Sequence, residues 1–121
     1  MSSALHTPSS FGATTNFQSY VLDDVANNFH VYSVNWSPDQ INFLIDDVVF
    51  YTYDPAIKDD STWPFYEDQF ILLNIAMGGV AGNIDSNFVQ SNMVIDYVRI
   101  YQNTSLGIHD EFGTKFSVYP N

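Results

Sequence analysis

Cysteine is absent from the 121 residues. That removes a disulfide framework and a thiolate zinc site, and it fits a reducing compartment and a bacterial secreted protein equally well. Cations are nearly as scarce: Lys58, Arg99 and Lys115 stand against 14 acids, for a formal charge of −11. So few positive side chains cannot neutralise a phosphate backbone or an anionic lipid surface, and the remaining field repels both. Nucleic acid and membrane are therefore poor partners. Long apolar runs are missing as well. The longest uncharged apolar stretch, residues 70–82, is interrupted by Asn74 and falls short of the ~20 residues a membrane helix needs. Met1-Ser2-Ser3 has neither the basic start nor the apolar run of a signal peptide, so an export signal is expected upstream or already removed.

What the sequence does have is 45% apolar residues. At this size a fold buries roughly two-thirds of its unfolded surface, which sets one core and one domain as the ceiling. No window keeps an apolar i, i+3, i+4, i+7 pattern free of β-branched, aromatic and turn residues, so the chain reads as all-β. Residues 1–28 are rich in Ser, Thr, Asn and Gly and read mostly as loop, with only 4–6 resembling a strand end. Residues 29–36 alternate His30, Tyr32, Val34 and Trp36 against Phe29, Val31, Ser33 and Asn35, as a sheet strand does. Ser37, Pro38 and Asp39 predict a turn. Ile41, Phe43 and Ile45 share a face, a strand over 48–53 follows, and Asp46-Asp47 between them predicts a two-residue hairpin without its usual glycine. Residues 54–68 form a long polar loop around Trp63, Pro64 and Phe65. Residues 70–77 predict a continuous apolar strand ending at Gly78-Gly79, where the backbone must bend or approach something closely. A second long loop spans 79–92, and 93–102 predicts a last strand before the pattern fades into a tail.

The acids do not arrange themselves for catalysis. Retaining hydrolysis of a glycosidic bond needs two carboxylates roughly 5 Å apart, which on one strand means positions of equal parity. Asp23-Asp24, Asp46-Asp47, Asp59-Asp60, Glu67-Asp68 and Asp110-Glu111 are adjacent pairs that a strand would point to opposite sides. Solvated loops account for them. His6, His30 and His109 are too scattered for a metal triad, and no serine sits in a nucleophile elbow. Local spacing reveals no active site. The 20 aromatic rings exceed what a core of this size requires. Exposed rings beside polar side chains stack on sugar faces, so carbohydrate is the substrate class that composition favours, with ordinary sandwich core as the other use of those rings.

Four segments together resemble the C-terminal half of glycoside hydrolase family 16, the laminarinase type of endo-β-glucanase: LHTPSSFG at 5–12, FHVYSVNWSPDQINFLIDDVVFYTY at 29–53, WPFYEDQFILLNIAMGG at 63–79 and MVIDYVRIYQ at 93–102. They lie in the family's order and spacing over residues 5–102. The resemblance implies a β-sandwich of jelly-roll, concanavalin-like type with a sugar cleft along its concave sheet, and a domain roughly twice this length. Residues 1–102 are thus expected to be part of a domain. The family's acid/base machinery lies in an ExDxxE strand just upstream of the LHTPSS segment, where a bulge turns both glutamates to the cleft. The only glutamates here, Glu67 and Glu111, lie in no such motif, so neither inherits a catalytic role.

Other cleft positions do carry over. Asn74 matches an asparagine whose amide contacts substrate, and an amide within an apolar strand asks for a partner on its own account. His6 matches a cleft histidine. Trp63 matches a loop that borders the cleft, although Trp-Pro-Phe could equally clamp that loop to the convex surface. Asp96 matches a position that gives a carboxylate to a structural calcium, and an Asp inside an apolar strand also demands pairing. Asp47 stands where the family usually has glycine. The stretch 106–121, LGIHDEFGTKFSVYPN, resembles the start of the C-terminal sorting domain of type nine secretion, which implies a polar linker over 103–121 and a secreted or cell-surface parent protein. Two readings stay open. One is part of a retaining endo-β-1,3(4)-glucanase acting on β-glucan, whose catalytic glutamates lie in a missing N-terminal half. The other is a non-catalytic β-sandwich that binds carbohydrate on its aromatic residues.

Overall fold

A computed structural model describes residues 1–79 and 82–102. Every regular element in them is a β-strand and every pairing is antiparallel. The chain divides into two compact units, Met1–Leu72 and a second that begins at Leu73.

In the first unit, β1 (Ser2–Ala4) pairs with β2 (Phe17–Ser19). The ladder is extended by Leu5 N–H on the Asn16 carbonyl at one end and Tyr20 N–H on the Met1 carbonyl at the other, both at 2.9 Å. Residues 1–28 are mostly turn and loop, as expected, but their short strands fall at Ser2–Ala4 and Phe17–Ser19 and not at the expected 4–6. Four of the pair's six residues are polar, and its order comes from the ladder, together with the Thr14 hydroxyl donating to the Leu5 carbonyl at 2.8 Å, and from no buried side chain.

The second sheet is a meander of β3 (Tyr32–Trp36), β4 (Ile41–Ile45) and β5 (Val48–Tyr53). Ser37 builds the first turn. Its Oγ accepts the amides of Asp39 at 3.2 Å and Gln40 at 3.1 Å and donates to the Gln40 carbonyl. The second turn is the expected two-residue hairpin, with Ile45 opposite Val48. Asp46 and Asp47 both take positive φ, 47° and 66°. That is the type I′ geometry, whose twist matches the flanking strands and which glycine or asparagine more often supplies. Register then slips by one residue: Leu44 faces Val49 but Phe43 faces Tyr51, so Phe50 is the extra residue of a β-bulge. The slip brings Phe43 and Tyr51 into a parallel stack with centroids 5.5 Å apart.

Parity decides the core. Ile41 and Ile45 are buried, and Ile41 joins Tyr53 and Trp63 in a cluster flanked by Leu5, Phe43, Tyr51 and Phe65. The polar row across the same strands, Asn35 opposite Asn42 opposite Thr52, alternates to the other face, where the Thr52 hydroxyl donates to Asn42 Oδ1 at 2.7 Å.

In the second unit the backbone turns where the glycines predict it: Gly78 and Gly79 have φ of 76° and 58°. The expected strands over 70–77 and 93–102 are corrected. Neither segment enters a ladder, and Phe70, Leu72, Ile75, Val94, Val98 and Ile100 are exposed. Their apolar composition expresses a demand for burial, whereas a strand also requires a neighbouring backbone to take its N–H and C=O groups. None of the described residues provides one. The tail over 103–121, with His109, Glu111 and Lys115, lies outside the described residues.

Candidate functional site

The loop after β5 is ordered by one carboxylate. Asp59 Oδ1 accepts the Ser61 hydroxyl at 2.6 Å, the Ser61 amide at 2.9 Å and the Thr62 amide at 3.1 Å. These bonds, the Ser61 hydroxyl foremost, hold the Asp59 carboxyl below the usual carboxylate range. The Asp59 carbonyl takes the Trp63 amide at 2.7 Å, and the Thr62 hydroxyl donates to the Ile57 carbonyl. The loop therefore delivers Trp63 inward at a set position. Its indole stacks on Tyr53 with centroids 5.8 Å apart and planes 4° from parallel, and it meets Phe65 almost perpendicularly at 5.5 Å. The Lys58 ammonium lies 5.4 Å from the indole centroid and donates to Asp54 at 2.6 Å. The Tyr53 hydroxyl donates to the Thr62 carbonyl at 2.6 Å, and burial pushes its pKa up.

Residues 5–10 lean on the same loop through the Ser9 amide on the Ser61 carbonyl at 2.9 Å. Alternation points Leu5 and Thr7 inward, Thr7 being 3% exposed, and turns His6 out to solvent. Between the β3–β4 turn and the loop runs a cleft of about 500 Å³ lined by Trp36, Ser37, Pro38, Lys58, Trp63, Phe65 and Tyr66. The exposed rings of Trp36 and Tyr66 offer faces on which the C–H side of a sugar can stack, while the Tyr66 hydroxyl, Ser37 Oγ and Lys58 ammonium are engaged by Asp60, the turn backbone and Asp54.

Chemistry beyond binding is not assembled there. Asp54 is engaged by Lys58, Asp59 by its own loop, and Asp60 by the Tyr66 hydroxyl, a bond that is the main cause of that phenol's raised pKa. Carboxylates committed in this way are structural, in keeping with their reading as loop acids.

Of the residues singled out from sequence, His6 and Trp63 fall in the first unit, one exposed and one 3% exposed within the aromatic cluster. Asn74 and Asp96 fall in the second unit, both exposed. Among the described residues no group of three or more His, Asp or Glu is placed to hold a metal ion. Asp96 supplies at most two of the roughly six to eight oxygens calcium takes, so the others would have to be carbonyl, amide or water oxygens or further carboxylates. Sequence reasoning missed Trp36 as a cleft wall and the contact of His30 with Asp24 and Asp46. The second was within reach, since pairing Tyr32 with Ile45 sets Val31, beside His30, next to the hairpin's first aspartate.

Known proteins resemble the chain over most of this span. The sequence model of glycosyl hydrolases family 16 matches residues 1–99. A beta-glucanase of Rhodothermus marinus is 34% identical over 84 residues, 62% of this chain and 29% of the relative. A glucan endo-1,3-beta-glucosidase of Niallia circulans is 34% identical over 89 residues, 64% of this chain and 13% of the relative. The crystal structure of a laminarinase from Flavobacterium sp. UMI-01 superposes with a TM-score of 0.52 at 33% identity, covering 53% of this chain and 28% of that one. The chain thus spans less than a third of the length of each.

Proposed function

The chain belongs to glycosyl hydrolase family 16, and from that premise we propose that it forms part of an endo-β-1,3(4)-glucanase hydrolysing β-glucan with retention. The observation that carries this reading is the laminarinase likeness, which joins sequence identity and backbone shape over the same chain. In the proposal these residues hold sugar and do not cleave it. Retention needs an acid to protonate the leaving oxygen and a second carboxylate roughly 5 Å away to trap the glycosyl carbon. The acids around the aromatic cleft are already bound to loop partners, and Glu67 lies outside any ExDxxE pattern. The two glutamates are therefore assigned to a part of the parent protein beyond these residues.

Asn74 and His6 are assigned to sugar hydroxyls, and Trp63 to the wall of the cleft. Asp96 is assigned one carboxylate of a calcium ion whose remaining oxygens come from elsewhere in the parent. The parent is assigned to the cell exterior, on the resemblance of 106–121 to a sorting tail.

The test is release of reducing sugar from laminarin by the 121-residue chain, alone and with an upstream segment carrying ExDxxE added in trans, together with laminarin binding by the chain and by Asn74→Ala. No turnover alone, turnover on addition, and binding weakened roughly two- to tenfold by Asn74→Ala, the worth of one hydrogen bond, are expected. Turnover by the chain alone would overturn the assignment and turn attention to Glu67 and Glu111.

A further inference from the structure

His30 lies outside the cleft, and both of its ring nitrogens point at carboxylates. Nδ1 is 2.8 Å from Asp46 Oδ2 and Nε2 is 3.2 Å from Asp24 Oδ1. The imidazole side chain is only 9% exposed, while the carboxylates are about half in solvent at 50%. Nε2 is buried, and its approach to Asp24 is not aligned as a hydrogen bond, so that side of the ring interacts through charge. The edge of Tyr32 meets the ring from β3 with centroids 6.4 Å apart. Asp24, Asp46 and Tyr32 are the titratable groups that face it.

Both carboxylates are held independently of the histidine. Asp46 Oδ1 accepts the Val31 amide at 2.9 Å, and the Asp46 amide donates back to the Val31 carbonyl at 3.0 Å. Asp24 Oδ2 accepts the Asn28 side-chain amide at 3.0 Å, and its carbonyl takes the amides of Asn27 and Asn28. One carboxylate thus belongs to the β4–β5 turn and the other to the connection between β2 and β3.

We propose that His30 is a proton-operated clamp fastening the β2–β3 connection to the β4–β5 turn, closed when the ring is charged and released when it is neutral. The argument is stoichiometric. A neutral imidazole has one N–H and one lone pair, so between two carboxylates it satisfies one and presents a lone pair to the other. Imidazolium keeps the Nδ1–H on Asp46 and replaces the lone pair facing Asp24 with a positive charge. The arrangement is therefore matched to one protonation state.

The direction of titration agrees. The Asp46 hydrogen bond is the main influence holding the His30 pKa above its ordinary 6.5, and the same bond is the main one holding Asp46 below 3.8. A raised histidine stabilises fully below its unfolded value and loses that contribution as pH rises through the folded value. A lowered aspartate stabilises above its unfolded value and loses the contribution as pH falls through the folded one. The clamp's contribution is whole between about pH 4 and about pH 6.5, and it opens only as pH rises through the raised His30 midpoint or falls through the lowered Asp46 one.

The measurement is an NMR titration of the His30 ring in the 121-residue chain, folded and in urea, with Val31 and Asn28 amide exchange followed across the same range. The folded midpoint is expected above that in urea, Asp46→Asn and Asp24→Asn are each expected to lower it, and amide protection is expected to fall above it. Asparagine tolerates the left-handed turn and keeps an oxygen for Val31, so Asp46→Asn removes charge without removing the hairpin. A midpoint equal to that in urea, or one that neither variant moves, would overturn the proposal.

Discussion

Replacing Trp63 by alanine asks whether its ring serves the core or the sugar. The indole is 3% exposed, lies flat on Tyr53 and meets Phe65 edge-on. A side chain of this kind buries about 150–250 Å². At about 25 cal/mol per Å² that is about 4–6 kcal/mol. Correcting for surface already hidden in the unfolded chain brings it to about 3–5 kcal/mol, the range seen when large aromatics are truncated in cores. A domain of this size holds about 5–15 kcal/mol in all, so a large fraction of the margin disappears. Trp36, 45% exposed on the other wall of the cleft, is expected to cost roughly 1.5–2.5 kcal/mol on truncation, about half of that corrected figure. The assay is urea unfolding by circular dichroism on both variants, with laminarin affinity measured in parallel. A Trp63→Ala chain that kept its unfolding midpoint but lost laminarin would refute the argument, because the ring would then be serving the sugar directly.

Two further outcomes follow from particular residues. Asp47 holds φ at 66°, a conformation that costs an L-residue about 1–2 kcal/mol, while glycine gives back about 0.5–1 kcal/mol in chain entropy. Asp47→Gly is thus expected to stabilise the hairpin by about 0.5–1 kcal/mol, read as a higher urea midpoint; a lower midpoint would contradict the type I′ assignment. If Asp96 gives a carboxylate to calcium in the parent protein, its melting temperature should fall on chelation and Asp96→Ala should abolish that response, whereas an unchanged chelator response in the variant would rule Asp96 out.

The features legible in the sequence are those whose partners lie close along the chain. The β4–β5 hairpin was readable because Ile41, Phe43 and Ile45 alternate, two residues intervene, and Val48 resumes the pattern. The Ser37 turn was readable because one hydroxyl serves three neighbouring backbone groups within four residues. The β-bulge at Phe50 was not, since nothing in VVFYTY marks which residue is extra until Tyr51 stacks on Phe43. The β1–β2 pair was hidden for a related reason. Ser2-Ser3-Ala4 and Phe17-Gln18-Ser19 have no shared apolar face, and their order comes from backbone bonds spanning more than ten residues. For the site, Trp63 was visible as an anomaly in a polar loop, but its immersion against Tyr53 depends on Asp59 folding that loop back.

The segment 70–77 carries the same lesson to its limit. By composition it is the strongest strand candidate in the chain, yet it joins no ladder and its large side chains are exposed. Apolar content measures how much a segment gains from leaving water, and a segment apolar on both faces gains only if two layers and two neighbouring strands meet it. Those neighbours are long-range by construction, so no local pattern can name them. On the reading proposed above, they belong to the part of a laminarinase-like fold that lies outside the 28% of the Flavobacterium enzyme this chain covers. The exposure of Phe70, Ile71, Leu72, Leu73 and Ile75 is then the cost of an unmet interface, and Asn74 is the one member of the run whose side chain loses nothing by facing water. An amide placed there adds nothing to burial. An amide that faces water needs no partner from the chain, so its assignment to sugar is decided by the laminarin affinity of Asn74→Ala and not by burial.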